Sequence, residues 1–448
     1  MSVGDADMRK VFLIANSHID VAWLWPKRET ILVCRDTFRH ILGLIKRFNI
    51  VFAQSNIIFY WWMERFFPDI FRQIREAHIS GFWEIVGGSW VEFDANMLMG
   101  ESLLRQFIVG LNYVREKFGA DVTIAWLPDT FGFPISLPKI LKSLGIKYFL
   151  TSKLSWNDTT RFPYYLFIWE SDDGSSVIAY QTVSPYDSPL DIQRIRSALK
   201  RIYRTQAIPI LLYLFGRGDH GGGPTAGEIK RFYSRIDEKD RRLVVFGRAT
   251  KFFELVGSLL EDGTISLPKV RDELYLQFHR GTYTTNQRIK SLVRNAETRL
   301  LTAEFIHLLC RILGFSLKRD ILEKTWTVLL SNQFHDIMAG TLSLDACRET
   351  IKELEFINSI INRYIQICLG YVKSSLPKGG KEAILVLNTL PWTRDVVVDV
   401  DNKPLRINGI PGFGYRVVSY TNSSKGEQVL LFEKQDMYVM ENKYYRVY

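Results

Sequence analysis

Through the first half of the chain, short apolar runs alternate with longer stretches whose apolar residues recur every three to four positions. Val11–Ala15, Ile50–Ala53, Trp83–Val86, Thr123–Leu127, Lys147–Leu150, Ile208–Phe215 and Leu243–Phe246 read as strands. Between them, Glu101–Phe118 carries the clearest helical face. Its Leu103, Leu104, Phe107, Ile108, Leu111, Val114 and Phe118 share one side, and Gly119 stands where a left-handed glycine ends a helix. Strand, helix, strand repeated in this way predicts an α/β fold with a parallel sheet covered by helices, either a barrel or an open doubly wound sheet. Tyr165–Glu170 and Val177–Thr182 flank a Ser-Asp-Asp-Gly-Ser-Ser turn and read as an inserted β-hairpin, which leaves about seven βα units.

From Gln287 the period changes to that of long helices, expected at Ile289–Leu313, Arg319–Met338 and Leu344–Val372. Short breaks at Gly314-Phe315-Ser316 and Gly340-Thr341 favour antiparallel neighbours, hence a three-helix bundle. Lys373–Lys381, with its Ser, Pro and Gly, reads as a linker. Ala383–Leu387, Val396–Val400, Tyr415–Ser419 and Gln428–Phe432 then look like strands of an all-β domain. The expected organisation is residues 1–275, 276–375 and 383–448.

Composition narrows the class without changing that outline. The 448 residues are 47% hydrophobic, 24% charged and 13% aromatic, which excludes disordered, collagen-like and disulfide-scaffold chains. A net charge of +10 would by itself allow a nucleic-acid or membrane-surface partner. Basic and acidic residues are interleaved, however, as in Asp237-Glu238-Lys239-Asp240-Arg241-Arg242, so a solvated surface with no nucleic-acid and no membrane partner is expected. Cys34, Cys310, Cys347 and Cys368 show no metal or redox spacing, and free thiols in a reducing compartment are the expectation. Met1 to Lys10 lacks the apolar core of a signal peptide, and the chain reads as cytoplasmic.

Candidate chemistry concentrates on four of the seven histidines. His40, His78 and His307 lie in helical patterns and are expected to be packed or solvated. His18 and Asp20, two apart at the end of the first strand, point to one face and could grip a cation. Strand ends of this kind are where parallel α/β folds build their sites. Asp129 follows the fourth strand in Pro128-Asp129-Thr130-Phe131-Gly132, and Asp219 lies in the glycine-rich loop from Gly216 to Thr225. That loop is no phosphate cradle, because it lacks the Lys-Ser/Thr pair and carries an acid. His220 belongs to the same loop, His279 to Phe278-His279-Arg280-Gly281 and His335 to Phe334-His335-Asp336. Two rim carboxylates beside a His/Asp cluster suit acid/base and nucleophilic work on a neutral polar substrate. Trp23 and Phe131, close to Asp20 and Asp129, would add aromatic faces for sugar rings.

Seven ordered segments, NSHIDVAWLWP, GGSWVEFDANM, AWLPDTFGFPISLPKIL, LTSKLSWNDTTRFP, FGRGDHGGGPT, HRGTYTTNQ and SNQFHDIMAGT, resemble glycoside hydrolase family 38 α-mannosidases of the cytosolic and prokaryotic type. The resemblance implies a (β/α)7 barrel, then a three-helix bundle, then the beginning of a β-sandwich region. It implies metal ligands at His18, Asp20, Asp129 and His335, holding Zn²⁺ or alternatively Co²⁺ or Mn²⁺. It further implies that Asp129 is a nucleophile and Asp219 the general acid and base, giving retention through a covalent mannosyl-enzyme with carboxyls about 5–5.5 Å apart. Trp23, Phe131, Asp336, Arg280 and Tyr283 are the implied substrate contacts. One departure is local: His220 stands where the family pattern leads one to expect glycine after the acid.

The expected function is metal-dependent, retaining hydrolysis of α-mannosidic bonds in oligosaccharides. Two alternatives are a metal-dependent carbohydrate deacetylase, which would need no separate carboxylate such as Asp129, and a non-catalytic fragment. The last is motivated by Glu441–Tyr448, which resembles the start of the family's large β-sandwich. A separate C-terminal β-sandwich polypeptide would then be a partner, and an unpaired β-edge also permits a homo-oligomer.

Overall fold

The computed structural model describes residues 9–375, 383–400, 403–419, 430–434, 437–442 and 445–447. Gln428 and Val429 of the last expected strand and residues 376–381 of the expected linker lie outside them, as do Met1–Met8 and residues 443, 444 and 448. Two compact units result: Met1–Glu297 with Lys324–Asn358, and Thr298–Glu323 with Ser359–Tyr448.

In the first unit the described residues form ten strands: β1 (Lys10–Asn16), β2 (Phe52–Gln54), β3 (Trp83–Ile85), β4 (Ile124–Trp126), β5 (Tyr148–Thr151), β6 (Leu166–Glu170), β7 (Ser176–Gln181), β8 (Ile210–Phe215), β9 (Val244–Phe246) and β10 (Lys269–Val270). β1 and β8 are apolar almost throughout and buried on both faces, as central parallel strands must be. They pair in parallel from Lys10↔Ile210 to Ala15↔Phe215. The strand orders are β3-β2-β1-β8, with β9 also on β1, and β10-β6-β7-β5-β4. Helices connect most of these strands, so the expected α/β class holds with parallel sheets of barrel type.

The expected inserted hairpin needs correction. β6 and β7 do pair antiparallel across the turn, but β7 also pairs in parallel with β5, from Tyr148↔Ile178 to Thr151↔Gln181. Val177, Ala179 and Tyr180 are buried, so β7 is an internal strand whose second edge a free hairpin would have left to solvent.

The expected amphipathic helix spans Gly100–Phe118 and ends on Gly119 at φ 63°, a left-handed turn that glycine adopts without strain. Inside it, Gly110 lies so close to the loop after β3 that a Cβ would stand 2.2 Å from the Gly88 carbonyl oxygen. Gly110→Ala would raise helix propensity yet force these backbones apart, and a loss of about 1–3 kcal/mol in urea unfolding is expected. An unchanged or raised midpoint would show that the contact yields freely.

The middle helix of the expected bundle is not continuous. Helices occupy Gln287–Ile312, Asp320–Ser331, His335–Ala339 and Leu344–Ser375, and residues 332–334 leave the helix. They do so because tertiary partners outbid the helical ladder. Phe334 bridges Phe93, the His335 amide donates to the Glu92 carbonyl at 3.1 Å, and Asn332 Oδ1 accepts from the buried Lys27 Nζ at 2.6 Å. Lys27 also pairs with Glu353. His335 thus begins a short helix instead of ending a long one.

In the second unit, β11 (Ala383–Asn388) pairs with β14 (Gly414–Ser419) and β12 (Arg394–Val400) with β13 (Lys403–Ile410), around Leu405, Ile407 and Ile410. β15 (Leu430–Lys434), β16 (Met437–Glu441) and β17 (Arg446–Val447) form a third antiparallel set.

The three histidines expected to be structural have structural partners: His40 at the Pro224 carbonyl, His78 at that of Trp83 and His307 at the Tyr364 hydroxyl. All four cysteines are free. Among the described residues no helix is long and apolar enough to cross a membrane.

Candidate metal centre and active site

The site lies where β1, β3, β4, β5, β7 and β8 end. Beyond β1, His18 Nε2 meets Asp20 Oδ1 at 3.0 Å, so the two side chains share a face as their spacing predicts. The exits of β1 and β8 are joined. Ile19 bridges His220, the Asp20 amide donates to the Asp219 carbonyl at 2.9 Å, and a Cβ on Gly216 would fall 2.0 Å from the Asn16 carbonyl oxygen. Glycine is therefore required there, and the loop that follows holds Asp219 at φ 62°, an uncommon conformation for a non-glycine residue.

Beyond β4, the Asp129 and Thr130 amides donate to one oxygen of the buried Glu92, at 2.5 and 3.1 Å. Asp129 Oδ1 lies 2.6 Å from Lys153 Nζ, and its Oδ2 lies 3.4 Å from His335 Nε2. His335 donates from Nδ1 to the Glu92 carbonyl at 3.0 Å. Its Nε2 is buried and has no hydrogen-bond partner. His18, Asp20 and His335 each bring one ligating atom to within 4.8 Å of the others. Two imidazoles beside carboxylates, with a buried nitrogen left open, form a donor set that fits a divalent transition ion. Asp129 borders this group through His335, while the tightest cluster holds three of the four expected ligands.

The charges are interdependent. Burial opposes protonation of His18, but Glu92 and Asp20 outweigh it and push its pKa up to about 10. Burial likewise opposes protonation of His335, and the Asp336 and Asp129 carboxylates beside it raise its pKa to about 9. For Asp129, burial works against the charged form, yet the His335 imidazole beside it and the His18 and Lys153 charges hold it well below the carboxylate range. Burial drives Asp336 the other way, upward. The buried carboxylates that favour positive charge on these imidazoles would equally favour a bound cation.

Above the cluster opens a cavity of about 1080 Å³, lined among others by Asp20, Trp23, Asp129, Phe131, Asp219 and Asp336. These six expected residues are brought together, and His18 and His335 lie buried beneath them. Tyr186 donates to Asp219 Oδ1 at 3.0 Å. Burial and then the Asp129 and Asp219 charges push the Tyr186 hydroxyl pKa upward, so it stays protonated. His220 turns out of the site, with its ring against Trp25 and Nε2 2.9 Å from Glu29. Arg280 and Tyr283 are not among the lining residues. Arg280 pairs with Asp158 on the surface, and the Tyr283 hydroxyl accepts from Asn96.

The expected retaining course through a covalent mannosyl-enzyme is corrected. Both Asp129 oxygens are engaged, by Lys153 Nζ at 2.6 Å and His335 Nε2 at 3.4 Å, so the side chain belongs to the charge network of the metal cluster. What the cluster supports is a metal-dependent centre without that intermediate.

Four site residues escaped the sequence reading of roles. Glu92 and Lys153 lie inside two of the segments that carry the family resemblance, GGSWVEFDANM and LTSKLSWNDTTRFP, yet their spacing marks nothing. Tyr186 follows β7, whose misreading as an inserted hairpin hid its position. His279 stood out as one of four histidines, and its ring stacks on Phe131 at 4.1 Å.

Comparison with known proteins agrees with the geometry. Residues 8–267 match the glycosyl hydrolases family 38 N-terminal domain and residues 277–369 the alpha mannosidase middle domain. The chain is 33% identical over 93% of its length to Alpha-mannosidase 2C1 of Homo sapiens, and 34% identical over 77% to Alpha-mannosidase G of Dictyostelium discoideum. It spans only 40% and 32% of the lengths of these relatives. In fold it resembles an alpha-mannosidase from Enterococcus faecalis, with a TM-score of 0.75 at 18% identity over 88% of this chain and 46% of that one. With more than half of its length matched by one family domain and the next domain following in order, the chain belongs to glycosyl hydrolase family 38.

Proposed function

We propose that the chain carries the metal-dependent catalytic centre of an α-mannosidase acting on α-mannosyl oligosaccharides. The observation that carries this is the open, buried His335 Nε2 facing Asp129 and Asp20 at the floor of a cavity whose rim bears Asp219. His18, Asp20, Asp129 and His335 would hold the ion, for which Zn²⁺ suits the nitrogen and carboxylate donors, with Co²⁺ or Mn²⁺ as substitutes. Bound there, the ion would supply Lewis-acid polarisation of sugar hydroxyls. Asp129 places negative charge below the anomeric carbon, where positive charge grows as the glycosidic C–O bond breaks. Asp219, held by Tyr186, gives its proton to the leaving oxygen. Trp23 and Phe131 pack against the ring and Asp336 bonds a hydroxyl. Arg280 and Tyr283 are the further substrate contacts of this reading.

In this reading residues 1–275 form the barrel, residues 276–375 complete the metal site and residues 383–448 form a β-region. Tyr415 and Val417 on β14, like Tyr438 and Met440 on β16, are about half exposed or more. Such apolar faces support a separate β-sandwich polypeptide as partner. The free cysteines support a reducing, cytoplasmic setting.

The test is product analysis. Incubation with an α-mannosyl oligosaccharide or an aryl α-mannoside should release mannose, and an acetylated sugar should yield no acetate. Acetate without mannose would replace this reading with the deacetylase one.

A further inference from the structure

Glu92 contacts three of the four residues proposed as metal ligands, His18, Asp129 and His335, without lining the cavity. Its Oε1 accepts from the Asp129 and Thr130 amides at 2.5 and 3.1 Å and so fixes the turn that presents Asp129. Its main-chain carbonyl accepts from His335 Nδ1 at 3.0 Å and from the His335 amide at 3.1 Å. Its second oxygen, Oε2, lies 3.5 Å from His18 Nδ1, fully buried and without any hydrogen-bond partner. Its own amide donates to the Asn56 side chain, which ties the residue to the start of the helix Ile57–Phe66. A side chain this enclosed cannot reach substrate, so its contacts must act on the residues around it.

The two histidines show what they do. An imidazole that ligates through one nitrogen must carry its proton on the other, and the partner of that proton sets both tautomer and ring orientation. For His335 the Glu92 carbonyl takes Nδ1–H, leaving Nε2 as the open donor atom. For His18, Nε2 is the atom beside Asp20, and Nδ1 faces the unpartnered Glu92 oxygen. We infer that Glu92 is the positioning residue of the centre: through its side chain for His18 and its backbone for His335, it holds both imidazoles in the Nδ1–H form that frees Nε2 for a metal ion. The inference rests on the metal-site reading above and goes beyond it, because none of the residues proposed as ligands or catalysts includes Glu92.

Glu92→Gln separates this role from a packing role. Glutamine keeps the size and can still accept from the Asp129 and Thr130 amides with its oxygen. Its NH₂ then faces His18 Nδ1 and demands an acceptor there, which moves the ring proton to Nε2 and blocks ligation. Zinc titration by calorimetry on the metal-stripped full chain should show the dissociation constant weakened about 10–100-fold in the variant, with the metal-free thermal midpoint close to wild type. Long-range proton–nitrogen correlation spectra of the zinc-loaded wild type should place the His18 ring proton on Nδ1, a readout that needs no variant to fold. A wild-type zinc constant in a folded Glu92→Gln variant, or a His18 proton on Nε2, overturns the inference. His18→Ala is the control. If the wild type binds zinc no better than His18→Ala, the metal-site reading itself fails. If the wild type binds well and Glu92→Gln equals it, only the role of Glu92 fails.

Discussion

Asp129→Asn should lower kcat/KM for an aryl α-mannoside by about 10³-fold or more, the scale at which charge stabilisation and proton handling act in enclosed sites. Asparagine keeps the volume and can still fill the space between Lys153 and His335, but it removes the negative charge that both neighbours hold in place. The developing positive charge at the anomeric carbon would then meet Lys153 without its counter-ion. Metal content should fall little, because His18, Asp20 and His335 remain mutually close. Steady-state kinetics with parallel metal analysis and a thermal midpoint check this. Undiminished turnover in the folded variant would remove Asp129 from the chemistry.

The second large effect concerns the ion. Chelation should abolish hydrolysis, and adding back Zn²⁺ should restore it. The same treatment should lower thermal stability, since a ligand that binds only the folded state at about 1,000 times its dissociation constant contributes about 4 kcal/mol. Without the ion, Asp20, Asp129, Asp336 and Glu92 share one buried region with His18, His335 and Lys153 as their cationic neighbours. A calorimetric scan before and after chelation measures the shift. Activity and midpoint both indifferent to chelation would contradict the site.

Much of this was legible from residue order. β1, β8 and the helix Gly100–Phe118 were readable because continuous apolar runs and three-to-four spacing report directly which faces are buried. The His18-x-Asp20 pair was readable for the same reason, as two-residue spacing on extended backbone is a local geometric fact. Where long-range partners won, the local pattern misled. Residues 332–334 carry no helix breaker, yet Lys27, Glu92 and Phe93 draw them out of the helical ladder. The β6–β7 turn looked like a self-contained hairpin because nothing in its sequence announces the parallel contact with β5.

The sequence by itself determined the α/β class, the strand ends and the family, together with His18, Asp20, Asp129, Asp219 and His335 as the residues with chemistry to offer. Tertiary structure alone decided which nitrogen of His335 is free, that Lys153 neutralises Asp129, that Tyr186 holds Asp219, and that Glu92 connects them. The physical reason is range. Periodicity records the burial of a residue relative to its own neighbours, whereas the Glu92–His335 contact joins positions 243 apart and leaves no periodic trace in either segment.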